Sequence, residues 1–306
     1  TQGQANVLGR ALLLFRQERR QGNAMGVAGF VSRAVFTAAS FEVVLTAMTA
    51  SPSASLLSSW LATNWMFLHL VCGCVCLPLL LVDARPASGA SRRCDWLAMV
   101  LAAMYCFHQF EEHGFDVFGR RYPFVFHLAK ILNCDLALEG GRFLRVTGSC
   151  GLDEMTILYI NVYGVMGLFL APLLLPTKWS CCLVLMNATL IFSNAVLFHL
   201  LPALVFWEYN PGLVQSALMN APLSAWALIH LWNRGVCNKA QAAAAFLING
   251  PGQVVQALGP MVLARQQMLS NAGQHAVLFA VMLVLQPATA LFISWMGPTR
   301  KKRRAL

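Results

Sequence analysis

Charge is what this chain has least of. Only 11% of its 306 residues are charged and only 12 are Asp or Glu, whereas a water-soluble domain carries roughly a quarter charged residues. So little polar surface cannot clothe a soluble core of this size. With 22 Gly, 13 Pro and 10 Cys, the chain also lacks the composition of a collagen-like repeat, a disordered segment or a disulfide-stapled secreted module. What it has in quantity is apolar residues, 58% of the total, with a mean hydropathy of +0.61. These figures predict an all-α, multi-pass transmembrane helical bundle.

Runs able to cross a hydrocarbon slab of ~30 Å at ~1.5 Å per residue lie at about 57–82, 96–112, 155–175, 179–206, 212–233 and 274–296. Residues 25–50 carry Arg33 and Glu42 and suit either a seventh span or an interfacial amphipathic helix. The chain therefore divides into a basic arm and helix (1–56), a membrane bundle (57–233) with a polar loop at 113–154, and a C-terminal part (234–306). That last part opens with amphipathic pieces, expected to break at Gly250-Pro251-Gly252 and again at Gly259-Pro260, and ends in a span and a basic tail. There is no internal repeat.

The net charge is +10, with the bases in connecting segments and at the two ends. They lack the interleaved aromatics of a nucleic-acid face, so no nucleic-acid partner is expected, and they suit an anionic membrane surface instead. With six spans and an interfacial 25–50, fifteen bases fall on one side and seven on the other. The positive-inside rule then puts both termini on the cytosolic, stromal or matrix side. The Arg-rich, acid-poor start also suits an organelle, a thylakoid or mitochondrial inner membrane. The cysteines show no zinc spacing and read as small packing residues, with Cys134 and Cys150 the one pair sharing a loop.

Because acids are scarce, their positions carry information. Glu111 and Glu112 end an apolar helix that also holds His108, and residues at i, i+3 and i+4 share a helix face. An imidazole beside paired acids away from water handles protons or ligates a metal, since each group is costly there unless the others neutralise it. Alternating spans bring Asn161, Asn194, His199, Glu208 and Tyr209 to the same half of the bilayer. His199 could equally make a plain interhelical hydrogen bond, and Glu112 could face interfacial water.

The run His108-Gln109-Phe110-Glu111-Glu112, followed by Asn194, His199 and then Tyr209-Asn210-Pro211-Gly212, resembles the HXXEE-motif membrane proteins over about residues 95–233. His113-Gly114-Phe115-Asp116 departs from the aromatic and Pro-Gly residues that follow the double Glu in that family. The resemblance implies a helical membrane bundle with a His/Glu site and carries no assigned reaction.

Two readings follow. In one, His108, Glu111, Glu112 and His199 are catalytic or metal-ligating residues. They hold a first-row transition metal or perform acid/base chemistry on a lipid-like substrate, supported by Asn161, Asn194, Glu208 and Tyr209. In the other, the chain is a non-catalytic accessory subunit of a photosynthetic or respiratory complex, its histidines contacting chlorophyll or haem, and small-residue stretches such as Cys72-Gly73-Cys74 docking on neighbouring subunits. Membrane lipids are partners in both.

Overall fold

The structure, a computed structural model, describes residues 56–82, 90–139, 142–145, 152, 156–157, 160–161, 177–281 and 286–296. The N-terminal arm with the 25–50 segment, most of the run at 155–175, the basic tail, Tyr159 and Cys150 lie outside the described residues.

Helix α1 (Leu56–Val82), bent at Asn64 where the backbone leaves helical φ/ψ, packs on α2 (Ala90–His113). A Cβ on Gly73 would lie 3.0 Å from the Ala103 carbonyl and 3.0 Å from the Phe107 ring. Only a residue without a side chain lets the two helices approach so closely. The small-residue face around Gly73 thus meets α2 within the chain. Trp96 Nε1 donates to the Leu80 carbonyl at 3.1 Å across the same contact.

After α2 the chain turns through a short loop into α3 (Pro123–Ile131), with Pro123 at its first position. Two strands follow, β1 (Leu136–Glu139) and β2 (Arg142–Arg145), antiparallel with Leu136 opposite Arg145 and Glu139 opposite Arg142. This two-stranded hairpin is a local exception within an otherwise helical set of described elements, as the all-α reading expects. Gly140-Gly141 between two short runs is a hairpin signature that high polarity masked.

Helix α4 (Thr177–Ser193) continues through a π-helical segment (Asn194–Leu200) into α5 (Leu201–Phe206). A second π segment (Ser216–Asn220) joins α6 (Leu213–Gln215) to α7 (Ala221–Asn233). Each π segment is followed two residues on by a proline, Pro202 or Pro222. A proline inside a helix cannot bond the carbonyl four residues back, and its ring crowds that oxygen. Widening the turn by one residue relieves the crowding.

The C-terminal part forms α8 (Lys239–Asn249), α9 (Pro251–Arg265), α10 (Asn271–Ala280) and α11 (Gln286–Trp295). A capping box between Asn238 and Gln241 starts α8. The expected break at Gly250-Pro251 is present, but the one at Gly259-Pro260 is not, because Pro260 sits buried inside α9.

At the centre lies α4, packed against α2, α7, α8 and α11. Buried amides tie these helices: Asn249 Nδ2 donates to the Met186 carbonyl at 2.9 Å and to Thr189 Oγ1 at 3.0 Å, and Gln241 Nε2 donates to the Ile293 carbonyl at 2.8 Å. A disulfide joins Cys94 to Cys181 near the starts of α2 and α4, with Cα atoms 5.2 Å apart. Cys134 is disulfide-bonded as well. The reading of the cysteines as packing residues alone is therefore corrected, while Cys72, Cys76, Cys106 and Cys182 are buried and in no disulfide.

Among the described residues two helices are long and apolar enough to cross a membrane, Asn64–Leu81 and Cys181–Phe206. They fall within two of the six runs read from the sequence, 57–82 and 179–206.

Candidate metal centre

The last turns of α2 bring His108 and Glu112 together at i and i+4. His108 Nε2 lies 3.4 Å from Glu112 Oε1, and His199 Nε2, from the π segment, lies 3.3 Å from the same oxygen. Both histidines are fully buried and Glu112 is 2% exposed. Neither Nε2 is hydrogen-bonded, so a carboxylate oxygen and two ring nitrogens converge on one space. All three atoms lie within 4.8 Å of one another.

The π segment explains how His199 reaches this space. In an α-helix, at 3.6 residues per turn, residues five apart point in very different directions; in i→i+5 winding they come to nearly the same face. Asn194 and His199 are five apart, and both turn toward Glu112's surroundings.

Beyond the helix end the chain reverses at Tyr209-Asn210-Pro211-Gly212. Asn210 Oδ1 lies 2.8 Å from His199 Nδ1, while Asn210 Nδ2 donates to the His199 carbonyl at 2.9 Å. The amide nitrogen is thus committed to a carbonyl and the amide oxygen faces the ring. The proton of His199 must sit on Nδ1, leaving a lone pair on Nε2 toward Glu112. Gly212 closes the floor: its φ is +90°, and a Cβ there would lie 2.7 Å from Cε1 of both His108 and His199.

Glu111 does not join this group. Its Oε1 accepts from the Tyr209 hydroxyl at 3.0 Å and the Val214 N–H at 3.1 Å, and its Oε2 accepts from the Gln215 N–H at 2.8 Å. It caps the start of the helix that begins at Leu213, supplying acceptors to orphan N–H groups from a neighbouring helix. The sequence reading places Glu111 with His108, Glu112 and His199 as a ligand; here its two oxygens are engaged by Tyr209, Val214 and Gln215. Burial, then the Glu111 carboxylate, pushes the Tyr209 phenol well above its ordinary pKa, so Tyr209 stays a donor. Arg120, ion-paired to the buried Asp116, lies over the rings of Phe118 and Tyr209. Glu208 is exposed and stands apart from the cluster.

A partly open cavity of about 60 Å³ adjoins the cluster. Glu112, Asn194, Asn161 and Gln253 give it polar groups, and Ile157, Leu258 and Met261 are among its apolar walls. Asn194 stands beside the His108 ring, within hydrogen-bonding reach of it. Asn161 Nδ2 donates to the Ile157 carbonyl at 3.0 Å.

Sequence reasoning missed four participants. His113 Nε2 lies 3.7 Å from Glu112 Oε2, and its place directly after the double Glu was the available signal. Asn210 and Gly212 were legible only as a turn. Gln253 comes from α9, and nothing local marked it.

Two histidines and one carboxylate, all buried, bring one ligand atom each to a common space of a size that can hold a metal ion. Residues 99–227 match the model of the family described as "Protein of unknown function with HXXEE motif", and every member of the triad falls inside that segment. No curated protein and no solved structure matches the chain.

Proposed function

We propose that the protein is an integral membrane protein that holds one first-row transition metal ion on His108, Glu112 and His199 and uses it on a lipid-like substrate. The observation that carries this reading is the Asn210–His199 pair, which fixes the tautomer that leaves Nε2 free to ligate. Metal-bound histidines almost always have the other ring nitrogen tied to such an acceptor.

The spacing supports it as well. Ligands about 2.0–2.1 Å from a tetrahedral ion are separated by roughly 3.3–3.4 Å, and the two nitrogens lie 3.3 and 3.4 Å from the Glu112 oxygen. Three protein ligands leave a coordination position for a reactant, which is the arrangement of catalytic rather than structural sites. An ion held there supplies a Lewis acid. The chain's own residues would orient its ligands through Asn210, exclude bulk water through burial, and offer the second Glu112 oxygen as a proton acceptor.

Membrane residence is supported by what the outer surface shows. Trp207, Leu218, Val255 and Phe206 are 87%, 71%, 71% and 70% exposed, while His108, His199, Asn220 and Gln241 are fully buried. Large apolar side chains facing outward while polar groups are held inside suit lipid as the surrounding medium. We place the termini on the cytosolic, stromal or matrix side on the base distribution alone.

The test is elemental analysis of detergent-purified protein. The expected result is about one transition-metal ion per chain, lost in His108→Ala and Glu112→Gln. Metal-free protein that co-purifies with a large pigmented or respiratory complex, unaffected by these substitutions, would contradict the reading and favour an accessory subunit.

A further inference from the structure

The walls of the cavity beside the triad come from two sources. Glu112 and Asn194 belong to the segment that carries the HXXEE match, but Gln253, Ala257, Leu258 and Met261 come from α9, outside it. One buried amide oxygen on these walls, Gln253 Oε1, has no hydrogen-bond partner, and Asn194, only 9% exposed, sets a second amide beside it. A buried acceptor without a donor costs free energy until something supplies one. Glu112, whose Oε2 accepts from Gln109 Nε2, adds its carboxylate to the same cavity, so the unpartnered amide oxygen there calls for a donor. The rest of the lining is largely apolar.

We propose that this cavity is a substrate subsite for an aliphatic lipid-like molecule whose polar end carries a hydrogen-bond donor, a primary hydroxyl or an amide N–H. Gln253 accepts that hydrogen, and Asn194 flanks the polar end beside Glu112. Helix α9 is then the specificity-determining wall, while the HXXEE segment supplies the reactive groups. This rests on the reading above only for the reaction that follows binding, since the donor preference itself needs no metal. The enclosed volume takes a small polar end and its first methylenes, and the alkyl chain continues along the apolar lining.

The experiment is native mass spectrometry of the full chain released from detergent, with decan-1-ol and its methyl ether as probes. The two share a chain, but only the alcohol donates. The expected result for the unaltered protein is a one-to-one alcohol adduct bound about ten-fold or more tightly than the ether, as one satisfied buried acceptor implies. Gln253→Leu should lower alcohol binding to the level of the ether while the metal adduct persists. Equal binding of alcohol and ether, absence of any alcohol adduct, or full alcohol preference in Gln253→Leu would each overturn the proposal. The comparison of the two probes in unaltered protein decides the matter even if the variant does not fold. Metal and probe adducts appear as separate mass shifts, so alcohol preference without bound metal would sink the metal reading and leave this one standing.

Discussion

His199 and Asn210 are joined twice: ring Nδ1 to amide oxygen at 2.8 Å, and amide nitrogen to the His199 carbonyl at 2.9 Å. The pair fixes both the rotation and the tautomer of the imidazole. Replacing Asn210 by Leu should therefore weaken metal binding by roughly 10–100-fold, the usual cost of losing such a partner, and Asn210→Asp should restore much of it. Titration with a competing chelator reads the difference.

The adjacent acids should separate cleanly. Glu111→Gln weakens acceptors for two helix N–H groups and should cost about 1–2 kcal/mol of stability with metal retained. Glu112→Gln should abolish metal binding without a comparable stability loss, since a buried charge is removed. Thermal unfolding and metal content, measured on both variants, check this.

Gly212 is constrained by its backbone and by its neighbours. Gly212→Ala forces a side chain to adopt φ +90° and drives it against both imidazoles, so a loss of about 2–4 kcal/mol is expected. Gly119 also has positive φ, +71°, but a Cβ there meets nothing within 4 Å. Gly119→Ala should cost only the backbone strain, about 1 kcal/mol. A melting-temperature comparison of the two isolates the contact.

The Cys94–Cys181 disulfide lies near the N-terminal ends of α2 and α4, while His108 and Glu112 lie toward the other end of α2 and His199 in the π segment that continues α4. Cys94→Ser should lower stability by about 2–4 kcal/mol and leave metal stoichiometry unchanged. Unfolding curves and elemental analysis on one preparation test both halves of that statement.

The helix carrying His108 and Glu112 was legible because i, i+4 spacing is local and acids are rare in an apolar run. The ordering of spans also placed His199 and Asn194 near them. Three things escaped. Pro202 and Pro222 were visible, but the π turns ahead of them, which bring Asn194 and His199 onto one face, depend on how the following helix is held. Glu111 was indistinguishable from Glu112 by type and burial, and only the backbone N–H groups of Val214 and Gln215, over a hundred residues away, separate their roles. The disulfide needed the starts of α2 and α4 to be parallel neighbours, which no cysteine spacing announces.

The most direct test of the central claim is X-ray absorption on protein loaded with one equivalent of zinc. The account predicts a first shell of oxygen and nitrogen at about 2.0–2.1 Å with outer-shell scattering from two imidazoles, reduced to one in His199→Ala. A shell without imidazole scattering, or one unchanged by that substitution, would contradict it.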